Sequence, residues 1–279
     1  MSFRFEGSVG ACDAQCVLDV VAYIQAGFAV PIKQECGTDT GVLCDGFEGA
    51  LIDSGKWSKL GAVSLSTEQK YSGSQSVKVV AKGGGYNANG IRAALGNMGS
   101  LRKNQYGRMM MLVTAENPRG GDFTFVEAVG KANYTIPAEV SPTPPLGVLV
   151  SYRARVDGSV DKFANNYDTN NNWKTDCWSH SGSPPAVPKD TWACMEWNFN
   201  ATSNELTYWL NGTKMSVSVK NKNGSNCVSH SQNDLWTGPA KFDSLQLGAN
   251  QYKATDKPRT LYIDDVVVDT QRVGCPSAP

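Results

Sequence analysis

Apolar and polar residues alternate along most of this chain with a period of two. Ser76-Val77-Lys78-Val79-Val80 follows the turn sequence Ser72-Gly73-Ser74. Phe123 to Val129, Val148 to Val156 and Met195 to Phe199 alternate in the same way, and Met109 to Thr114 is a continuous apolar run. Period two sends successive side chains to opposite faces, so these segments predict half-buried strands, and the continuous run predicts a strand buried on both faces. Leu206 to Leu210 leads into Asn211-Gly212, a dipeptide suited to the positive φ of a tight hairpin turn, and Lys214 to Val219 is the returning strand. Leu245-Gln246-Leu247 and Leu261 to Val268 complete the set. Strand after strand without intervening helices predicts an all-β antiparallel sandwich, and a span of about 230 residues fits one β-jelly roll over 44–275.

Residues 1–43 follow a different rule. Val17, Leu18, Val20, Val21 and Ile24 recur at steps of three and four, with Asp13 as an N-cap and Gly27 as a stop. They predict a short α-helical appendage, followed by a linker from Pro31 to Gly41. Two long loops are expected inside the sandwich: Pro137 to Gly147, rich in proline, and Asn165 to Lys189, rich in Asn, Trp and Ser. Loops of that length usually carry function.

Charge narrows the partners. Lys plus Arg and Asp plus Glu both number 26 in the 279 residues, so the formal net charge is zero. Phosphate neutralisation needs a cationic face, which argues against a nucleic-acid partner. No apolar run approaches the ~18 residues of a membrane span, so no membrane partner is expected either. The eight cysteines are Cys12, Cys16, Cys36, Cys44, Cys177, Cys194, Cys227 and Cys275. Their even number and the lack of a zinc-type CxxC pair predict disulfides and hence a secreted protein. Cys36–Cys44 and Cys12–Cys16 are candidate pairs, and crossed pairings remain open. Met1-Ser2-Phe3-Arg4 does not begin a leader peptide, so a mature or excised form of an exported protein is expected.

Several segments resemble one family. Asp45-Gly46-Phe47-Glu48 opens the domain. Trp57, Val63-Ser64-Leu65-Ser66 and Tyr71-Ser72-Gly73-Ser74-Gln75-Ser76-Val77-Lys78-Val79-Val80 follow. Trp192-Ala193-Cys194-Met195-Glu196-Trp197 and Leu206-Thr207-Tyr208-Trp209-Leu210-Asn211-Gly212 come later, and Ile263-Asp264-Asp265-Val266-Val267-Val268 with Arg272-Val273-Gly274-Cys275 close it. This order resembles the cellulose-induced protein of cellulolytic fungi and its bacterial relatives, a β-jelly roll family related to glucuronan and alginate lyases. The resemblance implies a Cys194–Cys275 bridge and a domain that binds or acts on plant cell-wall polysaccharide. The alternative it implies is a lyase cleaving a uronic-acid polymer by β-elimination. It also implies a structural calcium ion held by Glu48, Ser72, Gln75 and Asp265, an oxygen set of the kind Ca²⁺ takes. Residues 1–30, with Cys12-Asp13-Ala14-Gln15-Cys16 before Tyr23-Ile24, resemble the last helix of bacterial c-type cytochromes. That implies an accessory domain cut from a larger redox protein. C-x-x-C-H is absent and neither histidine follows a cysteine, so no haem is expected.

The strand Val148 to Val156 divides by parity. Val148, Val150, Tyr152 and Ala154 suit a core; Leu149, Ser151, Arg153 and Arg155 suit a groove. In β-elimination a cation neutralises the uronate carboxylate and a base takes the C5 proton. Arg153 and Arg155 are candidate neutralisers, and Tyr152, Tyr167 and His180 are candidate bases. The family's His and Arg followed by Gly-Gly-Gln is replaced here by Tyr152-Arg153-Ala154-Arg155, and Asp122 stands where relatives often carry a His. A non-catalytic or weakly active domain is therefore the expectation. Trp173 and Trp178 are candidate stacking platforms for sugar rings, with Asn166, Gln246 and Asn250 to meet hydroxyls. A Cys177–Cys227 bridge would bring His180 and His230 together, since each lies three residues beyond its cysteine. Glu127 and Glu196 are strand carboxylates with no assigned role. The expected protein is a monomer with a polysaccharide partner, calcium and further domains in a parent chain.

Overall fold

The computed structural model describes residues 43–82, 87–116, 120–132, 149–169, 176–179, 183–220, 238–252 and 255–276, and all statements of structure concern these. Chain packing divides the protein into units 1–35 and 36–279. The expected helix, Cys12, Cys16, Cys36, Cys227, Trp173, His180, His230 and the loop 137–147 lie outside the described residues.

The alternating segments are strands. In chain order they are β1 (Leu43–Asp45), β2 (Ser58–Leu60), β3 (Val63–Ser66), β4 (Ser76–Ala81), β5 (Asn87–Ala94), β6 (Asn104–Val113), β7 (Phe123–Ala132) and β8 (Leu149–Asp157). They continue with β9 (Lys162–Thr169), β10 (Asp176–Ser179), β11 (Ala193–Asn200), β12 (Glu205–Leu210), β13 (Thr213–Lys214), β14 (Val219–Lys220), β15 (Pro239–Gln251) and β16 (Arg259–Asp269). Among the described residues they form two sheets. One runs β13-β12-β11-β6-β16-β4-β3, with β1 also on β16 and β14 also on β12; the other runs β10-β9-β8-β7-β15-β5-β2. Neighbouring strands pair antiparallel throughout, as in β7 with β8 and β6 with β11. This is the expected all-β jelly-roll sandwich.

The core lies between the sheets. Val77, Val79, Met109, Met111, Met195, Trp197, Leu261 and Ile263 enter it from the first sheet, and Ile91, Val150, Tyr152, Phe163, Tyr167, Leu245 and Leu247 from the second. An aromatic cluster ties the sheets together. Tyr152 meets Phe242 at 5.3 Å and Phe199 at 6.0 Å between ring centroids, both near-perpendicular. Such pairs contribute about 0.5–1.5 kcal/mol each beyond burial.

Two expectations change. Part of the expected 165–189 loop is strand: β9 buries Phe163, Asn165 and Tyr167 and turns Ala164, Asn166 and Asp168 to the other face. Asn165 satisfies its amide in the core by donating to the Val217 carbonyl at 2.8 Å. The returning hairpin strand is shorter than expected: only Thr213–Lys214 and Val219–Lys220 pair with β12, and Ser218 donates to the Met215 carbonyl across the break.

Candidate functional site

The outer face of the second sheet carries a row of polar side chains in register. Trp178 stands opposite Asn166, Asn166 opposite Arg153, Arg153 opposite Glu127, Glu127 opposite Gln246, Gln246 opposite Arg92, and Arg92 opposite Ser58. Directly opposed residues share a face, so all seven strands contribute one side chain to one line. Six interstrand steps make the line about 29 Å long.

Hydrogen bonds join the row. The Arg92 guanidinium donates to the Gln246 amide oxygen at 2.8 Å. Gln246 donates to Asn250, and Asn250 donates to Glu127 at 2.7 Å. Arg153 donates to the other Glu127 oxygen at 2.7 Å, to Asn166 at 3.1 Å and to Asp168 at 2.6 Å. Arg155 pairs with Asp122, and its guanidinium carbon lies 5.6 Å from the centroid of the half-buried Trp178 ring. Asn250 joins the row at an irregularity in the β15–β7 pairing between Leu247 and Asn250. There Gly248 faces Gly90, with φ of +148° and +146°, and a Cβ on either would lie about 2 Å from a backbone oxygen of the opposite strand. Only glycine serves at this crossing.

Burial alone would lower the Arg153 pKa; the adjacent Glu127 and Asp168 carboxylates outweigh it and hold the guanidinium above its ordinary value. Beneath the sheet, the Tyr208 hydroxyl donates to the Arg153 carbonyl at 2.9 Å, which fixes the strand at that position from the core side.

The structure thus brings together Arg153, Asn166, Gln246 and Asn250, with Arg155 and Trp178 at one end. It separates the tyrosines from them. Tyr152 and Tyr167 are fully buried on the core face. Burial pushes the Tyr152 pKa up, with the Tyr167 charge acting in the same direction, and its hydroxyl reaches Asn204 at 3.1 Å. Neither tyrosine shares the face with Arg153, so neither is placed to take a proton from a chain lying there. Sequence reasoning gave no role to Glu127, Asp168, Arg92 or Asp122. Glu127 was visible as the single carboxylate in an otherwise mostly apolar strand; Asp168 was hidden in a segment rich in Asn, Trp and Ser.

A second cluster forms where β16 meets the turn at 72–74. Ser72 Oγ donates to Asp265 at 2.9 Å, and Ser74 donates to Glu48 through its amide at 2.9 Å and its hydroxyl at 2.6 Å. Gly73 has φ of +60°, and a Cβ there would lie 2.2 Å from a Glu48 carboxylate oxygen, so the turn wraps that carboxylate only with glycine at its centre. Burial raises the Asp265 pKa, and the Glu48 charge adds to it against the Ser72 hydrogen bond and Arg108. The turn thus holds one carboxylate through Ser72 and the other through Ser74, and the Glu48 charge is felt at Asp265. The Gln75 amide nitrogen donates to the carbonyls of Phe47 at 2.9 Å and Gly49 at 2.6 Å; the atom a glutamine offers a cation is its carbonyl oxygen. Cys194, Glu196 and Cys275 also approach one another, but both sulfurs are in the Cys194–Cys275 disulfide and no thiolate is available to a metal. Cys44 is disulfide-bonded as well.

Fold and topology define the class: a jelly-roll sandwich with a polar row across one sheet. Among solved structures it is similar to cellulose induced protein, Cip1, with a TM-score of 0.54 and 19% identity over 84% of this chain and 100% of that one. It is similar to endo-beta-1,4-glucuronan lyase from the fungus Trichoderma reesei, with a TM-score of 0.52 and 11% identity over 82% of this chain and 94% of the other. It also resembles the binding domain of botulinum neurotoxin DC in complex with rat synaptotagmin II, with a TM-score of 0.50 and 10% identity over 84% of this chain and 48% of that one. At these identities the likeness is one of fold. No family model and no curated protein sequence matches the chain.

Proposed function

We propose that this chain is an exported, non-catalytic carbohydrate-binding domain whose site is the polar row on the second sheet. The observation that carries the reading is the register itself: seven strands contribute Trp178, Asn166, Arg153, Glu127, Gln246, Arg92 and Ser58 to one line. Alternating donors and acceptors beside an indole match a polymer of hydroxyl groups and C–H faces. The Cys194–Cys275 disulfide supports export. Glu48, Ser72, Gln75 and Asp265 would hold a structural calcium ion, tying the start of the domain to its last strand. The domain binds plant cell-wall polysaccharide as a monomer.

The lyase reading is favoured by the fold it shares with a glucuronan lyase. It needs a mobile cation and a base on the same face. Arg153 is held by two carboxylates, and Tyr152 and Tyr167 lie beneath the sheet. The reading of the chain as part of a redox protein rests on residues 1–30, outside the described ones.

The test is depletion of the protein from solution by insoluble cell-wall polysaccharides, with a parallel ultraviolet assay for unsaturated product on glucuronan, alginate and pectin. Binding without product is expected. Product on any of the three would replace this reading with the lyase one.

A further inference from the structure

The charges of the polar row are already matched to one another. Arg153 lies between Glu127 and Asp168, at 2.7 Å and 2.6 Å, and the side chains of the three are only 21%, 7% and 18% exposed. Arg155 is held by Asp122, with the two side chains 13% and 19% exposed. Arg92, at the far end, hydrogen-bonds Gln246 and has no ion pair among the described residues. Three guanidinium groups therefore stand with three carboxylates, and the two nearest the indole are committed within the sheet.

A chain of uronates would need counter-cations at regular intervals. To obtain them it would have to draw Arg153 away from two partly buried carboxylates. Those carboxylates would then face further negative charge without compensation, and such like-charge contacts suppress wrong partners. A chain bearing only hydroxyls needs no such exchange. Hydroxyls can accept from the N–H groups of the exposed Arg92 and the partly exposed Arg153 while every ion pair stays in place.

Building on the carbohydrate-binding reading above, we infer that the row takes a neutral polysaccharide laid across the strands, and that its internal Glu127–Arg153–Asp168 pairing excludes uronic-acid polymers. The specificity comes from charges spent within the sheet rather than from a lack of charge.

The experiment compares one neutral glucan that binds with the same glucan after selective oxidation of its C6 hydroxyls to carboxylates. Oxidation is expected to weaken binding by about tenfold or more at low salt. The gap should narrow as added salt shortens the screening length from about 30 Å at 0.01 M to about 3 Å at 1 M. Asp168→Asn removes one of the two carboxylates holding Arg153 with little change of shape. It should shift the ratio of the two affinities severalfold toward the oxidised glucan. Equal or tighter binding of the oxidised glucan overturns the inference while the carbohydrate-binding reading stands. If Arg92→Gln then abolishes the preference for the oxidised form, Arg92 is the acid-reading residue instead. Failure of every glucan and every uronan to bind removes both.

Discussion

Arg153 and Glu127 stand directly opposite each other on adjacent strands, joined at 2.7 Å, and Glu127 joins both halves of the polar row. One of its oxygens accepts from Arg153 and the other from Asn250. Glu127→Ala should therefore break the row in two. Loss of one member of a partly buried charge pair costs about 2–4 kcal/mol. Chemical denaturation should show that loss, and polysaccharide retention should fall with it. Glu127→Gln keeps an acceptor and should recover part of the stability without restoring the charge balance.

The sandwich was legible because its core half is local. In Val148 to Val156, parity alone separates buried Tyr152 and Ala154 from outward-facing Arg153 and Arg155. Arg153, Asn166, Gln246 and Asn250 were legible one by one, but the line they form was not, because register is not local. Glu127, Gln246 and Arg92 meet only through three strands distant in the chain. β9 escaped notice because Asn and Asp are depleted in strands, yet Phe163, Asn165 and Tyr167 alternate with Ala164, Asn166 and Asp168. β5 escaped notice because Gly90 and the small residues around it lack the bulk that marks a strand. The glycine is there for the close crossing with Gly248.

Gly73→Ala tests the turn around Glu48. The backbone there is left-handed, and the added methyl would meet the carboxylate. Strain of this kind costs about 1–3 kcal/mol. The thermal midpoint should fall in chelator. If calcium occupies the Glu48–Asp265 cluster, the variant should also need more of it for the same stabilisation. An unchanged midpoint and an unchanged calcium titration would show that the turn is not held as described.

Asp264 gives the cluster a pH signature. It accepts backbone N–H groups from Tyr71, Ser72 and Asp265. Burial nevertheless dominates, and with help from the Asp265 charge its pKa is pushed up to about 7 from an ordinary 3.8. A carboxyl with a raised folded-state pKa binds its proton more tightly when folded. Its stabilising contribution is full below about pH 4 and is lost as the pH rises through about 7. In chelator, urea midpoints should decline over that window, and Asp264→Asn should flatten the decline. A bound divalent cation would favour the ionised carboxyls and reduce the slope.

A disulfide and an ion pair fasten the C-terminal segment to the first sheet beside the weaker Arg108–Gly274 carbonyl contact, and these two ties should be separable. Cys275 is disulfide-bonded to Cys194 on β11. Three residues before it, Arg272 makes a two-pronged pair with Glu196 at 3.0 Å and 2.8 Å and lies 4.5 Å from the centroid of the Trp209 ring. The disulfide closes a long loop, so its removal in a Cys194→Ser/Cys275→Ser variant should cost about 2–4 kcal/mol. Arg272 acts differently. Its partner Glu196 has a side chain only 2% exposed, while Arg272 itself is 39% exposed. Arg272→Ala therefore leaves a carboxylate in place with most of its water already stripped away. The cost should exceed the ~1 kcal/mol ceiling of an ordinary surface pair. Arg272→Lys keeps charge but loses the two-pronged geometry and the flat contact with Trp209, and should fall between the two. In the double-serine variant the ion pair still holds the segment, so protease should cut the tail only slowly. Adding Arg272→Ala should release it, and the combined loss should exceed the sum of the separate losses. Strict additivity would show that the two ties do not hold the same segment.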